Sequence, residues 1–229
     1  MIKIDRRSVD EGEALSMRVM KNPEERRNEI LDAAEMLFVT KGYTKATIMD
    51  ILQACDIAKG TFYYYFQSKE EVMHAIVMRF IMSGVTAARC ILSNSELSAH
   101  EKIFHIITAQ NQPDERKLGV IEQLHDVQNV EMHQKSLVET VLQLSPILAE
   151  VVEQGIQEGV FNTPTPRESI EFLLVSSQFI LDQGIFQWEE KQFMKKIEAF
   201  ADIMERVLGA APGSFAYVTR LYFPYQDQG

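Results

Sequence analysis

Apolar residues recur three and four positions apart along most of this chain, and the strict alternation typical of β-strands is scarce. A period near 3.6 residues is that of an α-helix with one buried face. The pattern therefore predicts an all-α protein. Helices are predicted over Pro23 to Lys41, Thr47 to Ala54, Ala58 to Tyr65, Ser68 to Leu92, 98 to 110, 114 to 126, 130 to 158, Pro166 to Gln187 and Glu189 to Leu208.

The predicted helix starts share a side-chain oxygen followed three positions later by an acidic residue. Such an oxygen accepts hydrogen bonds from the free N–H groups of a first helical turn. The pairs are Asn22 with Glu25, Thr47 with Asp50, Ser68 with Glu71, Ser98 with Glu101 and Thr165 with Glu168. Pro146 is expected to kink or interrupt the helix over 130 to 158, because proline lacks the N–H group that a helix bonds.

These elements divide the chain into four predicted segments. Residues 1–21 form an N-terminal arm, 22–67 a three-helix unit, 68–208 a larger helical domain and 209–229 a C-terminal tail rich in glycine, proline and aromatic residues. The arm carries Lys3, Arg6, Arg7 and Arg18 among four acidic residues. Its expected form is a solvated arm, with entry into a DNA minor groove as the alternative.

Charge is distributed unevenly around a net charge of −10. Residues 21–79 hold eight basic and nine acidic residues, whereas residues 80–229 hold eleven and twenty. The acidity thus lies mainly outside the first unit. No uncharged apolar run of about 20 residues and no secretory signal are found, so we expect a cytoplasmic protein without a membrane partner.

Cysteine and histidine spacing gives no sign of a metal site or of a disulfide framework. Cys55 and Cys90 are expected to be small buried hydrophobic residues. His100 and His105 are five apart, and His125 and His133 are eight apart, whereas two histidines on one helix converge on zinc at a spacing of four. Neither a metal nor a cofactor is expected.

Residues 47–66, TIMDILQACDIAKGTFYYYF, have the pattern of a helix-turn-helix. Asp56 stands at the turn, where a short polar side chain tolerates a left-handed backbone. Phe62 and Phe66 are four apart and point back into the core. The opposite face of the second helix presents residues that suit DNA contact: Lys59, Thr61, Tyr63 and Tyr64.

The stretch from Arg27 to Val77 resembles the DNA-binding domain of the tetracycline-repressor (TetR) family. The resemblance rests on three motifs in order: ILDAAEMLFVTKGYTKAT, the turn ACDIAKGTFYYYF and the helix start SKEEV. It implies a helix-turn-helix that binds a double-stranded DNA operator, with the DNA-facing positions Lys59, Gly60, Thr61, Tyr63 and Lys69. Two interpretations remain open for Thr47, which either contacts a phosphate or serves only as a helix cap. The three consecutive tyrosines either contact DNA or only pack against the protein, and Tyr64 is the tyrosine most expected to pack.

Three residues depart from the family's pattern: Asp56 where glycine is common, Ala58 where serine is common and Tyr65 where histidine is common. They affect the expected base preference more than the fold, because aspartate is acceptable in the turn.

Beyond residue 80 no motif is recognisable, and the resemblance implies a domain that binds a small-molecule effector and forms a homodimer through the last two long helices. Both helices have wide apolar faces with the small residues Ser176, Ser177, Gly184 and Ala201, although these faces could also be intramolecular core. Transmission of an effector signal is expected through the fourth helix. Candidate effector-binding residues are Met78, Met82, Phe104, Ile107, Leu124, Val127 and Phe179, with Gln123 and His125 as polar groups.

Two other functions are compatible with an all-α chain. An enzyme is one, but no catalytic motif such as G-x-S-x-G or H-E-x-x-H is present, and no catalytic residue is expected. The other is a ligand- or partner-binding protein whose N-terminal unit has lost DNA affinity. Within the regulator interpretation, both repression and activation remain open.

Overall fold

The computed structural model describes residues 22–112, 114–126 and 129–222, and these contain helices and turns but no strand. The helices are α1 Pro23–Lys41, α2 Ile48–Cys55, α3 Lys59–Tyr65, α4 Lys69–Leu92, α5 Ala99–Gln110, α6 Glu115–Leu124, α7 Val130–Gln157, α8 Pro166–Ile180, α9 Glu190–Leu208 and α10 Tyr217–Tyr222. The predicted all-α class is confirmed. The proposed arm, residues 1–21, lies outside the described residues, as do Val127 and residues 223–229.

The capping residues act as predicted at most helix starts. Asn22 Oδ1 accepts a hydrogen bond from Glu24 N at 3.1 Å, and Asn22 N donates to Glu25. Thr47 and Ser98 form the same reciprocal box, and Ser68 caps α4. The exception is Thr165, whose side chain makes no capping hydrogen bond.

One expectation about the second half of the chain is wrong. Helix α8 ends at Ile180 and not at Gln187, because Asp182 starts a turn and the Trp188 indole donates to Ile180 O at 2.8 Å. Helix α7 continues past Pro146 without interruption and has buried residues on both sides of the proline. In the described part of the tail, Phe215 and Val218 are buried in the core.

The buried residues form two clusters, which share the long helix α4. The first cluster joins α1 to α4 and takes in Val120 and Leu124 of α6. The second joins the distal half of α4, through Val85 and Ala88, to α5 and α7 to α10. Cys55 is buried in the first cluster as expected, but Cys90 is exposed, because it lies two residues beyond the inward-facing Ala88.

Among the described residues, only α4 has the length and hydropathy of a membrane-spanning helix. Its packing gives it another role. It contacts α1, α5 and α7, and its arginine Arg79 is paired with acids of α1. These contacts are those of a core helix that connects the two clusters.

A charged junction joins α1 to both α4 and α6. Glu35 of α1 is only 4% exposed and accepts a short hydrogen bond from Arg79 of α4. Arg79 also reaches Asp32 at 2.6 Å, and Arg116 of α6 lies 3.7 Å from Glu35. A buried carboxylate needs such partners, because an unpaired charge is strongly disfavoured away from water. The first unit is thus tied electrostatically to the larger domain.

Arg79→Ala is expected to lower the free energy of unfolding by about 2 kcal/mol, because Glu35 would stay buried beside the more distant Arg116 alone. For a chain of this size the melting temperature should fall by roughly 4 to 8 °C, measured by circular dichroism. Arg116→Ala is the matched control: its side chain is 70% exposed, so the expected loss is below about 1 kcal/mol. Equal melting of Arg79→Ala and the unchanged protein would contradict this account of the junction.

Candidate nucleic-acid interface and internal cavity

Helices α2 and α3 form the predicted helix-turn-helix. Asp56 adopts the left-handed conformation, with φ 48° and ψ 51°, directly after α2. Ile57 N donates to Leu52 O at 3.1 Å, which closes the turn. Ile51 and Phe62 are fully buried, so each helix is anchored on the first cluster by one face. The outer face of α3 is left on the surface.

The exposed face of α3 begins at its N-terminus. Lys59 and Gly60 are exposed and Thr61 is half-buried. The Lys59 ammonium lies 5.8 Å from the centroid of the Tyr63 ring, within reach of a cation–π contact. A Cβ atom at Gly60 would meet no described atom within 4 Å. Glycine is therefore not required by packing within the chain, and its lack of a side chain leaves the helix start open to close approach.

The three tyrosines of α3 differ in exposure. Tyr63 is 39% and Tyr64 76% exposed, whereas Tyr65 packs on the first cluster. The expectation that Tyr64 packs is wrong. Phe62 fixes the inward face, and Tyr65, three residues on, shares it, while Tyr64 falls on the far side.

Two predicted phosphate-contact residues have roles within the chain. Lys69 Nζ donates to Tyr43 O at 2.8 Å and Ala46 O at 3.0 Å, so its side chain holds the loop between α1 and α2. These two bonds leave one of the three ammonium protons of Lys69 for another partner. Thr47 is exposed and caps α2, with Oγ1 accepting from Asp50 N at 3.2 Å. Thr47 Oγ1 and Thr47 N each donate to Asp50 Oδ2 at 2.8 Å, so a phosphate contact by Thr47 requires that one of these bonds be exchanged.

The larger domain contains a cavity of about 720 Å³ that is partly open to solvent. Its walls come from α4 to α10 and are mainly apolar, for example Ile103, Ile106 and Leu173. The volume is that of sites for drug-sized molecules. Polar side chains line part of the wall: Gln110, Asn111, Lys117, His125, His133, Ser136, Thr140, Ser177, Gln178, Asp182 and Gln183.

The candidate effector-binding residues divide into two groups. Ile107, Leu124 and His125 line the cavity. Four others, Met78, Met82, Phe104 and Phe179, lie outside its wall. Met82 and Phe179 are exposed, and Phe104 packs edge-on against Tyr217 at 5.3 Å between centroids. Helical spacing alone did not determine which apolar residues face this space.

Gln123 is also outside the cavity wall and has a different role. Its Oε1 accepts a hydrogen bond from Tyr43 N at 2.8 Å, and its backbone O accepts one from Asn129 Nδ2 at 2.6 Å. Tyr43 belongs to the loop that precedes the helix-turn-helix. Gln123 therefore connects α6 directly to the first unit, which the sequence pattern gave no reason to expect.

The sequence interpretation missed Lys117, His133 and Asp182 in the wall. Lys117 Nζ donates to Gln110 O at 2.8 Å, and burial lowers the pKa of its ammonium despite the nearby Asp114. Burial also lowers the pKa of the His133 imidazole, an effect that Asp182 opposes. The sequence gives little sign of either residue. His133 is eight residues from His125, which is not a same-helix ligand spacing, and Asp182 falls within the segment predicted as one continuous helix.

The outward face of α8 is a continuous apolar stripe, defined by Phe172, Val175, Phe179 and Ile180. Exposed Ser176 lies among them, but the other three small residues predicted to allow close helix approach lie elsewhere. Ser177 lines the cavity, Ala201 is buried in the second cluster, and Gly184 faces the ring of His125 within the same chain. Exposed Ile203 on α9 adds to the apolar surface.

Two protein-family models match the chain. Residues 30–76 match "Bacterial regulatory proteins, tetR family", and residues 115–203 match "Tetracyclin repressor-like, C-terminal domain". Together they cover more than half of the sequence. The chain belongs to the TetR family. The resemblance that rested on Arg27 to Val77 is thereby confirmed, and the match extends into the domain where no motif was recognised.

Individual relatives of this TetR-family chain agree with the assignment. The HTH-type transcriptional repressor KstR2 of Rhodococcus jostii is 39% identical over 56 residues, 24% of this chain and 28% of that protein. In the matches to the Lactococcus lactis regulator and to KstR2, this chain spans about a quarter of the relative's own length. The uncharacterised HTH-type regulator YhgD of Bacillus subtilis is 25% identical over 79% of this chain and 93% of its own.

The fold is also similar to that of a solved structure. Salmonella enterica GusR aligns with a TM-score of 0.62 over 83% of this chain and 99% of its own, at 16% identity. This likeness shows that the architecture extends across both helical units.

Proposed function

We propose that this TetR-family chain is a cytoplasmic transcriptional repressor that binds a palindromic DNA operator as a homodimer and is released by a small-molecule effector. The observation that carries the proposal is the exposed face of α3. Lys59, Gly60, Thr61, Tyr63 and Tyr64 lie together at the surface while Phe62 and Phe66 anchor the helix. That presentation suits insertion of a recognition helix into a major groove.

The residues on this face have chemically distinct roles in the proposal. Lys59 supplies charge, Thr61 and the two tyrosine hydroxyls donate hydrogen bonds to phosphate or base edges, and Gly60 permits close approach. Lys69 contacts phosphate from the flank through the third N–H of its ammonium and the N–H groups at the start of α4. Thr47 contacts phosphate through its hydroxyl, which exchanges its bond to Asp50 for one to the phosphate. Residues 22–67 are assigned to DNA binding and 68–208 to effector binding and dimerisation.

The apolar stripe on α8 supports dimerisation through α8 and α9. Large apolar side chains at i, i+3, i+7 and i+8 on one helix face are costly to leave in water. Pairing with the same face of a second copy would bury them around a two-fold axis. The two recognition helices would then read two halves of an approximately palindromic operator.

The cavity supports control by a mainly apolar effector with a polar end near Lys117 and His133. Release requires that the effector bind the DNA-incompetent state more tightly, and a preference of about 100-fold corresponds to about 2.7 kcal/mol of coupling. Helix α4 connects the cavity to the reader, as expected. Helix α6 provides a second connection, through Gln123 with Tyr43 and Arg116 with Glu35.

Selection from a pool of random DNA duplexes tests the proposed function. The full chain should enrich sequences with two inverted half-sites, and footprints should cover both halves. Enrichment should disappear when Thr61 and Tyr63 are both changed to alanine. A selected pool no different from the input pool would contradict the proposal.

A further inference from the structure

Three side chains that could hold a metal ion meet at the wall of the cavity. His125 follows the last turn of α6, His133 lies on α7 and Asp182 lies in the turn after α8. Their candidate ligand atoms lie within 4.8 Å of one another. His125 Nε2 is 3.0 Å from Asp182 Oδ1, and His133 Nε2 is 3.1 Å from Asp182 Oδ2.

The spacing of these atoms suits a shared cation. Zinc binds imidazole nitrogen and carboxylate oxygen at about 2.0 to 2.2 Å, which in a tetrahedral site places neighbouring ligand atoms roughly 3.4 Å apart, a few tenths of an ångström more than the two contacts seen here. His125 Nε2 is buried and makes no hydrogen bond to a described residue, although Asp182 Oδ1 is close to it. The contact lacks the angle of a hydrogen bond. The nitrogen is thus available as a ligand.

The surroundings hold Asp182 and His125 in place. Asp182 Oδ1 accepts hydrogen bonds from Gly184 N at 2.7 Å and Ile185 N at 3.2 Å, so backbone donors orient the carboxylate toward the two imidazoles. A Cβ atom at Gly184 would lie 2.2 Å from the His125 ring, so glycine makes room for that ring. Such supporting contacts orient the ligands of metal sites and raise metal affinity.

We propose that His125, His133 and Asp182 form a binding site for a divalent transition-metal ion, for which Zn²⁺ is the fitting probe. Two imidazoles and one carboxylate suit zinc and its neighbours, whereas calcium and magnesium prefer oxygen ligands throughout. Three protein ligands leave at least one coordination position open. All three residues line the cavity, so that position can take a water molecule or an oxygen donor of an effector.

The two histidines do not need the four-residue spacing of a single helix, because they lie on different helices. Their rings approach edge to face with centroids 5.0 Å apart. The other pair behaves differently: His100 packs between Phe161 and Phe215, and His105 is exposed on α5. The earlier expectation of no metal site rested on a spacing that applies to one helix only.

The experiment measures Zn²⁺ binding by the full chain after removal of metal with a chelator and exchange into chelator-free buffer. Competition with a chromophoric zinc chelator should give one bound Zn²⁺ per chain. His133→Ala and Asp182→Asn should each weaken binding by at least about 100-fold, more than the loss typical of outer-shell substitutions. Gly184→Ala should weaken it by about 10- to 100-fold through the displaced His125 ring.

His105→Ala is the matched control, since His105 is exposed and lies beside Glu101 without a third ligand. It should bind Zn²⁺ as the unchanged chain does. Circular dichroism checks that each variant is folded. If His133→Ala unfolds, Asp182→Asn still tests the proposal, because asparagine has nearly the same size as aspartate. Co²⁺ gives an independent readout. When Co²⁺ takes the place of Zn²⁺ and is bound by nitrogen ligands, its visible absorption spectrum should differ from that of the hydrated ion.

Equal Zn²⁺ affinity in the unchanged chain, His133→Ala and Asp182→Asn would overturn the proposal, as would a Co²⁺ spectrum identical to that of the free ion. In that case Asp182 interacts with the two imidazoles by electrostatic contact, and the cluster does not bind a metal ion. The measurements contain no DNA, so their outcome is independent of the proposed repressor function.

Discussion

Lys59→Ala and Tyr63→Ala are each expected to lower affinity for the selected operator by about 30-fold without unfolding the protein. Each substitution removes a contact of about 1 kcal/mol in both protomers of the dimer, and about 2 kcal/mol in total corresponds to that ratio. Both side chains lie on the open face of α3, and the Lys59 ammonium lies over the ring of Tyr63. Fluorescence anisotropy on labelled operator measures the change.

The two variants should also differ in their response to salt. Lys59→Ala removes one positive charge per protomer. For the dimer, the slope of log affinity against log salt concentration should therefore become shallower by about two, whereas Tyr63→Ala should leave this slope unchanged. Arg89→Ala is the control, because it removes an exposed basic residue near the end of α4, in the larger domain and away from the helix-turn-helix. Operator affinity unchanged by both α3 variants would refute the assignment of the recognition face.

Phe172→Glu is expected to convert the dimer into monomers. Phe172 is 77% exposed within one chain and is the most exposed residue of the apolar stripe of α8. An interface would bury its ring in both copies, and a carboxylate there would be desolvated without a partner. A loss of about 3 kcal/mol raises the dimer dissociation constant by more than 100-fold. Analytical ultracentrifugation over a dilution series measures it.

Met36→Glu is the matched control for that experiment, because Met36 is an exposed large apolar residue on α1, away from the stripe. Its dimer should dissociate as the unchanged protein does. Phe172→Glu should also bind the operator more weakly, since a monomer reads one half-site. A dimer of unchanged strength in Phe172→Glu would show that α8 is not the interface.

Local signals in the sequence predicted the local structure well. Oxygens followed by acids three residues later gave the starts of α1, α2, α4 and α5, because the capping box depends on neighbouring atoms only. The left-handed turn at Asp56 followed from the same kind of reasoning. The outer face of α3 was predicted as Lys59, Thr61, Tyr63 and Tyr64, and Tyr64, the tyrosine most expected to pack, is instead the most exposed of the three.

Features that depend on contacts between distant segments could not be read in this way. Gln123 looked like a polar group for a ligand, but its partner, Tyr43, is 80 residues away. The cluster of His125, His133 and Asp182 takes one residue from each of three segments. The end of α8 depends on Trp188 reaching back to Ile180 O. Helical periodicity describes one helix at a time and contains no information on such pairings.

The central claim, that this TetR-family chain binds specific DNA through α3, is tested most directly by anisotropy of the unchanged protein on DNA from upstream of its own gene. Unrelated DNA of equal length and composition is measured beside it, each over a range of salt concentrations. The account predicts tighter binding to the upstream DNA at every salt concentration, with an affinity that falls steeply as salt rises. Equal and weak binding to both DNAs would contradict it and favour a partner-binding protein that has lost DNA affinity.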